Sequence, residues 1–284
     1  MKLNIGEISF LNCLPLFYRL QEEVPPEHDW QFVKGNPTQL NHGLANGKID
    51  ISPSSSMEFA LRPEQYFIFP QLAITSHREV QSVILLSRQP LSALKNGNIA
   101  LTGQSLTSVY LLKLILEHFY HHPHDNYHFV TREFNQFDDS VNAALVIGDR
   151  ALYLFHHPPP GFQIHDLGAL WYQFTGLPFV YALWIGNRQS LPDQQKALTK
   201  LHQRLLYCKT HLEGYFAKIL PVTDRLYPQL SRKVILDYWQ RVISYELGPR
   251  ELAGLRLFYR LAHENQLLAE IPELHFLETS RNTG

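Results

Sequence analysis

The chain reads as an α/β protein of two lobes, one inserted into the other, with a helical C-terminal third. Three observations predict this. Short apolar strands run directly into helix starts at residues 2–9, 49–52 and 98–101, the alternation that builds a sheet covered by helices. Two apolar stretches rich in β-branched and aromatic residues, 81–87 and 177–186, bracket a middle segment that has strands and helices of its own, and are expected to cross between the lobes. The length of 284 residues also exceeds the roughly 100–150 of a single core. The expected division is 1–87 plus 185–284 for the first lobe and 88–184 for the inserted second, with a ligand cleft between them.

The first strand ends in Phe10-Leu11-Asn12-Cys13-Leu14-Pro15-Leu16, a polar amide at the mouth of a helix, which is where open α/β sheets place ligands. Asn36-Pro37 starts the next helix, asparagine as cap and proline at its first position; Leu40 and Leu44 face the core and Gly47 ends it,. The strand at 49–52 leads into Pro53-Ser54-Ser55-Ser56 and a helix beginning Met57-Glu58-Phe59-Ala60. The strand at 98–101 leads into Thr102-Gly103-Gln104-Ser105-Leu106-Thr107-Ser108. Val109, Leu112, Leu116 and Phe119 share one face of the helix that follows, and His121-His122-Pro123 stops it,. Ala143-Ala144-Leu145-Val146-Ile147 is a wholly apolar strand ending at Gly148-Asp149. Pro192 opens one long amphipathic helix marked by Leu198, Leu201, Leu205, Leu212, Phe216 and Ile219. Another begins near Pro249 with Leu252, Leu255, Tyr259 and Ala262 on one face,. Residues 278–284 read as a frayed end.

Composition narrows the function. Hydrophobic residues make up 45% and charged residues 18%, ordinary for a globular protein,. A net charge of −1 with no long basic run excludes the electrostatic footprint of nucleic-acid or anionic-membrane binding. No segment approaches the roughly 20 apolar residues of a membrane span, and the first residues carry no apolar run of signal-peptide length. A cytoplasmic protein with a small-molecule partner is expected, its Cys13 and Cys208 as free thiols,. Oligomeric state is open, a homodimer included.

The serine run 52–56 has two readings. Serine is favoured at helix caps; equally, unpaired N–H groups and the positive end of a helix dipole hold a carboxylate without any arginine. Thr107 and Ser108 invite the same pair of readings. Asn12 either satisfies local backbone or offers its amide to a ligand. His121, His122, His124 and His128 suggest a metal, but Pro123 breaks their spacing and no cysteine or HExxH helix accompanies them, so a solvated loop is expected and no cofactor. Gly6, Gly35, Gly43 and Gly47 form no dinucleotide fingerprint or phosphate loop, and no GxSxG elbow occurs,. The residues alone lead to a two-lobed protein holding a small anion in its cleft.

Five ordered motifs add a resemblance. Ile8-Ser9-Phe10-Leu11-Asn12-Cys13-Leu14-Pro15-Leu16, the segment from Asp50 to Ala60, Leu101-Thr102 through Thr107-Ser108-Val109, Ile147-Gly148-Asp149-Arg150-Ala151-Leu152 and Thr175-Gly176-Leu177-Pro178-Phe179-Val180 resemble the chorismate dehydratases of the futalosine route to menaquinone. The likeness runs from about residue 3 to the Gly254-Leu255-Arg256-Leu257-Phe258 helix. It implies a type II periplasmic-binding-protein-like fold and loss of water from chorismate to give 3-[(1-carboxyvinyl)oxy]benzoate, with no metal or organic cofactor. Asn12 is then the catalytic candidate, and Ser54, Ser55, Ser56, Ser82, Ser105, Thr107, Ser108, Gly148 and Asp149 are the substrate-binding candidates. The general base is expected to be the substrate's own enolpyruvyl carboxylate, with Asp149 as the fallback; Asp149 also reads as cap of the helix starting at Arg150. A sister enzyme of similar fold, which makes 1,4-dihydroxy-6-naphthoate, uses a histidine directly after the apolar strand of the second lobe, where this chain has Gly148. A non-catalytic anion-binding protein is the third reading. Cys13 departs from the family, standing where a threonine or similar residue is common.

Overall fold

A computed structural model describes residues 2–22, 29–94, 97–122, 127–131 and 141–278. The first sheet has six strands in the order β11-β4-β10-β3-β1-β2. Its parallel half is β1 (Leu3–Ile8) between β2 (Trp30–Gly35) and β3 (Ile51–Ser55). These are joined by α1 (Leu14–Glu22) and α2 (Pro37–Ala45), the right material for β-α-β crossovers,. As expected, Asn36 caps α2, accepting from Gln39 N at 2.9 Å, with Pro37 at the first helical position,. β10 (Phe179–Asn187) lies in the middle of the sheet, antiparallel to β3 and to β4 (Tyr66–Ser76). The short α3 (Ser56–Leu61) follows β3, and β11 (Ile243–Ser244) closes the far edge.

The second sheet has the order β7-β6-β8-β5-β9: β5 (Val83–Ser87), β6 (Gly97–Leu101), β7 (Tyr127–Thr131), β8 (Ala143–Ile147) and β9 (Gln163–Asp166). Its helices are α4 (Leu106–Leu114), α5 (Gly148–His156) and α6 (Leu167–Thr175). One face is lined by Ile84, Leu86, Ala100, Val141, Ala144, Val146 and Ala151; the other joins the main core, where Trp171, Phe179 and Phe258 meet edge to face. The remaining helices, α7 (Leu191–Thr210), α8 (Phe216–Leu226), α9 (Arg232–Asp237) and α10 (Pro249–Glu264), pack on the first lobe. No helix among the described residues is long and apolar enough to cross a membrane.

Four details differ from the sequence expectations. The bracketing strands do not themselves cross: β5 belongs wholly to the second sheet and β10 wholly to the first, so the connections are the short segments 77–82 and 176–178. Apolarity marks a buried strand but does not say which sheet it joins. The sequence reading missed β4, because Pro70 and Gln71, the latter at φ +62°, interrupt its pattern and shift its register on β10,. The expected long helix is two, α7 and α8, separated by a 3-10 turn at Glu213–Tyr215; Leu212 and Phe216 are buried on either side of the break, so the apolar spacing runs through it. Of the expected histidine loop, His121 is exposed at φ +52°, His122 is buried, and His128 lies on strand β7. Pro123 and His124, and the tail beyond residue 278, lie outside the described residues.

Candidate active site

Asn12 sits on the turn between β1 and α1, held from several sides. Cys13 N and Leu14 N donate to Phe10 O. The indole of Trp239 donates to Leu11 O at 2.9 Å and the Tyr245 hydroxyl to Asn12 O at 2.7 Å. Leu11 N donates across the lobes to Asp149 Oδ1 at 2.9 Å. The Asn12 peptide is thereby fixed while its side chain remains in the cleft wall. Its Oδ1 is buried with no hydrogen-bond partner among the described residues, and such an atom costs stability unless something else satisfies it.

The serine run and the second-lobe helix start meet face to face. Thr107 N donates to Ser55 Oγ at 3.0 Å, and Met57 N donates to Thr107 Oγ1 at 3.1 Å. Each hydroxyl thus satisfies an amide in the first turn of the other lobe's helix, a reciprocal cap across the seam. Ser55 and Thr107 share a further hydrogen bond at 2.5 Å, and Ser56 Oγ reaches Thr107 Oγ1 at 3.1 Å and donates to Val180 O at 2.9 Å. The capping reading of the run holds in an altered form: Ser55 caps a helix, though not its own.

Behind this seam lies the cleft. Phe10, Ile8, Ile74, Val80, Ile147 and Ile243 supply apolar walls, and Asn12, Ser55, Ser82, Gln104, Ser105 and Ser108 supply polar groups. No described residue lining it is a lysine, arginine, histidine, aspartate or glutamate. Ser105 caps α4, accepting from Ser108 N at 3.2 Å, and its hydroxyl pairs with that of Ser108 at 2.8 Å. Ser82 Oγ accepts from the buried Tyr238 hydroxyl at 2.8 Å, which leaves the Ser82 hydroxyl proton free to donate. Burial pushes the Tyr238 hydroxyl up and keeps it a neutral donor,. Gly148 stands at φ +67°, where a Cβ would meet the Phe10 ring at 3.1 Å, and its N–H is taken by Ser82 O at 2.8 Å. Asp149 does not line the cleft. It is half-buried, and desolvation of its carboxylate pushes it up to about 6, opposed by the Leu11 N–H,.

Of the residues expected from the sequence, Asn12, Ser55, Ser82, Ser105, Ser108 and Gly148 border one cavity. Ser56 and Thr107 come together in the seam beside it. Ser54 faces elsewhere, its buried Oγ without a partner among the described residues. Asp149 does not cap its own helix: Ile147 holds the cap position and makes no side-chain cap bond. Phe10, Gln104 and Tyr181 line the cleft and Tyr238, Tyr245 and Trp239 support it. Phe10 and Gln104 lie inside motifs already singled out; the aromatic supports come from 180–245, where nothing in the spacing connects them with the first strand.

A family model described as menaquinone biosynthesis matches residues 3–264. A chorismate dehydratase from Thermus thermophilus is 29% identical over 272 residues, covering 89% of this chain and 93% of the relative. Another from Campylobacter jejuni is 25% identical over 258 residues, covering 90% and 95%. Among solved structures, the periplasmic aliphatic sulphonate binding protein SsuA from Escherichia coli superposes with a TM-score of 0.68 at 14% identity, covering 100% of this chain and 96% of that one. The architecture is that of a periplasmic-binding-protein-like fold with two α/β lobes.

Proposed function

The chain belongs to the menaquinone-biosynthesis family, and from that premise we propose that it is a chorismate dehydratase, eliminating water from chorismate to give 3-[(1-carboxyvinyl)oxy]benzoate. The observation that carries this reading is the Asn12 amide, rigidly mounted, with a buried unsatisfied oxygen, in a cleft of apolar walls and neutral donors. Chorismate is a ring with two carboxylates and a hydroxyl. The apolar walls suit the ring, and hydroxyls such as that of Ser82, whose lone pair Tyr238 already occupies, are left to donate to carboxylates,.

The chemistry follows from the substrate. The C3–H bond is weakened by conjugation through the ring diene to the ring carboxylate. Its proton passes to the substrate's enolpyruvyl carboxylate, and its electron pair is delocalised onto the ring carboxylate. The C4–O bond then breaks, the ring becomes aromatic, and the departing hydroxide takes the transferred proton and leaves as water. Donors aimed at the ring carboxylate stabilise the developing charge most in a site that excludes water. Asn12 orients the enolpyruvyl carboxylate or assists the hydroxide, and Asn12→Ala is expected to lower kcat by about 100-fold, the size of losing one such donor.

Gly148 argues against the sister synthase. The position that would carry the histidine base has no side chain, and adding one would strain the backbone at φ +67° and press on the Phe10 ring. We place the protein's action in the cytoplasm, consistent with two buried free thiols,. The deciding experiment incubates purified protein with chorismate and follows the ultraviolet spectrum and product mass. Appearance of the aromatic enol ether supports the dehydratase; chorismate bound but recovered unchanged overturns it in favour of a binding protein.

A further inference from the structure

We propose that Asp149 is a positioning residue for Asn12: reaching across from the second lobe, its carboxylate holds the Leu11 amide and so completes the turn that aims Asn12 into the cleft. This deepens the dehydratase reading and rests on it for the role of Asn12.

The hydrogen bonds of the turn lead here. Phe10 O serves Cys13 N and Leu14 N within the turn, while Leu11 O and Asn12 O are held by Trp239 and Tyr245 of the first lobe. The Leu11 amide takes its acceptor from the second lobe, Asp149 Oδ1 at 2.9 Å. It belongs to the Phe10–Leu11 peptide, whose carbonyl accepts from Cys13 N and Leu14 N on the far side of Asn12, so a rotation that releases the Leu11 N–H also disturbs the turn that carries Asn12. Asp149 reaches that amide because it lies in the first turn of α5, directly after Gly148, whose left-handed backbone bends the chain from β8 into the helix beside Phe10,.

The same geometry speaks against Asp149 as the base. It does not border the cavity, and the oxygen nearest the turn is already engaged. The titratable groups that sense its charge are Cys13, Tyr227 and Tyr238, all pushed up by burial and therefore neutral. A carboxylate placed so acts as a hydrogen-bond acceptor for the backbone, a task that an amide oxygen performs equally well.

That equivalence supplies the test. With the wild type, Asp149→Ala, Asp149→Asn, Asn12→Ala and the Asn12→Ala/Asp149→Ala pair, kcat for chorismate and amide hydrogen exchange at residues 11–13 are measured. Asp149→Ala is expected to lose at least about 30-fold in kcat and its Leu11 protection; Asp149→Asn is expected to restore at least about tenfold of that loss, and the protection. In the Asn12→Ala background the further change is expected to be under about threefold, the non-additivity of two groups acting as one. An Asp149→Asn enzyme as slow as Asp149→Ala, with an acid limb of the wild-type pH profile missing, would make Asp149 the base and overturn the proposal. So would multiplicative losses in the pair, or Leu11 exchange indifferent to Asp149→Ala. Should Asp149→Ala not fold, Asp149→Asn and its pH profile decide. A wild type that leaves chorismate unchanged defeats the dehydratase reading instead, and the exchange data still judge the hold on the turn.

Discussion

At the scale of single residues, the groups around the cleft commit one another's hydrogen-bonding capacity. The Tyr238 hydroxyl donates to Ser82, Thr107 and Ser55 pair with each other, and Leu11 N donates to Asp149; for Ser82, which lines the cleft, the hydroxyl proton is left to donate,. The Asp149 carboxylate is the member of this set that changes charge near neutral pH, and its linkage sign is definite. Its pKa in the folded protein, about 6, lies above the ordinary 3.8, so folding favours the protonated form. That preference stabilises the fold below about pH 4 and is lost as pH rises through 6, leaving a charge penalty of roughly 1–3 kcal/mol at neutral pH. Asp149→Asn removes the penalty. Its melting temperature is expected to exceed that of the wild type by a few degrees at pH 7.5, with the gap closing at pH 4, as measured by calorimetry at the two values. Asn12 and the serine and threonine clusters were legible in the sequence because strand ends before helices are marked by local spacing. Tyr238, Trp239 and Tyr245 were not, since their hydrogen bonds reach across 150 or more positions of chain.

At the scale of elements, close approach sets the geometry of the connections between lobes. Gly254 in α10 lies against the second connection: a Cβ there would sit 2.1 Å from Pro178 O. Alanine in a helix interior ordinarily gains about 1 kcal/mol over glycine. Here the neighbour is a backbone carbonyl and cannot step aside, so Gly254→Ala is expected to destabilise by about 1–3 kcal/mol, the cost of overpacking, read from urea unfolding. The strands β1, β3, β6 and β8 and the capped helices α2 and α4 were predicted close to where they lie, because each carries its own start and stop chemistry. What escaped were features decided by partners: the sheet that β5 joins, the bulged β4, and the break between α7 and α8, where burial continues on both sides of the turn. The histidine-rich segment shows the same limit, since His128 belongs to a strand by its pairing beside β6 and not by its composition.

For the whole molecule, the two lobes meet through complementary chemistry on both sides of the cleft: the reciprocal helix caps at Ser55, Thr107 and Met57 on one, the Asp149 to Leu11 bond on the other, with Thr38 donating to Gly103 O at 3.0 Å near the first. Thr107→Ala removes the shared hydroxyl of the caps. It is expected to lower kcat/KM about tenfold, in line with about 1.5 kcal/mol for a buried bond network, to expand the radius of gyration in solution scattering, and to be largely reversed by Thr107→Ser. The walls of the cleft carry a further consequence. A dianion drawn to a basic pocket is steered from a distance and slowed by added salt, whereas a pocket of neutral dipoles exerts its pull only at contact. With the described lining neutral, capture of the proposed substrate is expected to depend on random collision, and KM to vary by less than about twofold between dilute buffer and half-molar sodium chloride. A site so built is expected to discriminate by fit after arrival and to stay indifferent to the ionic composition around it.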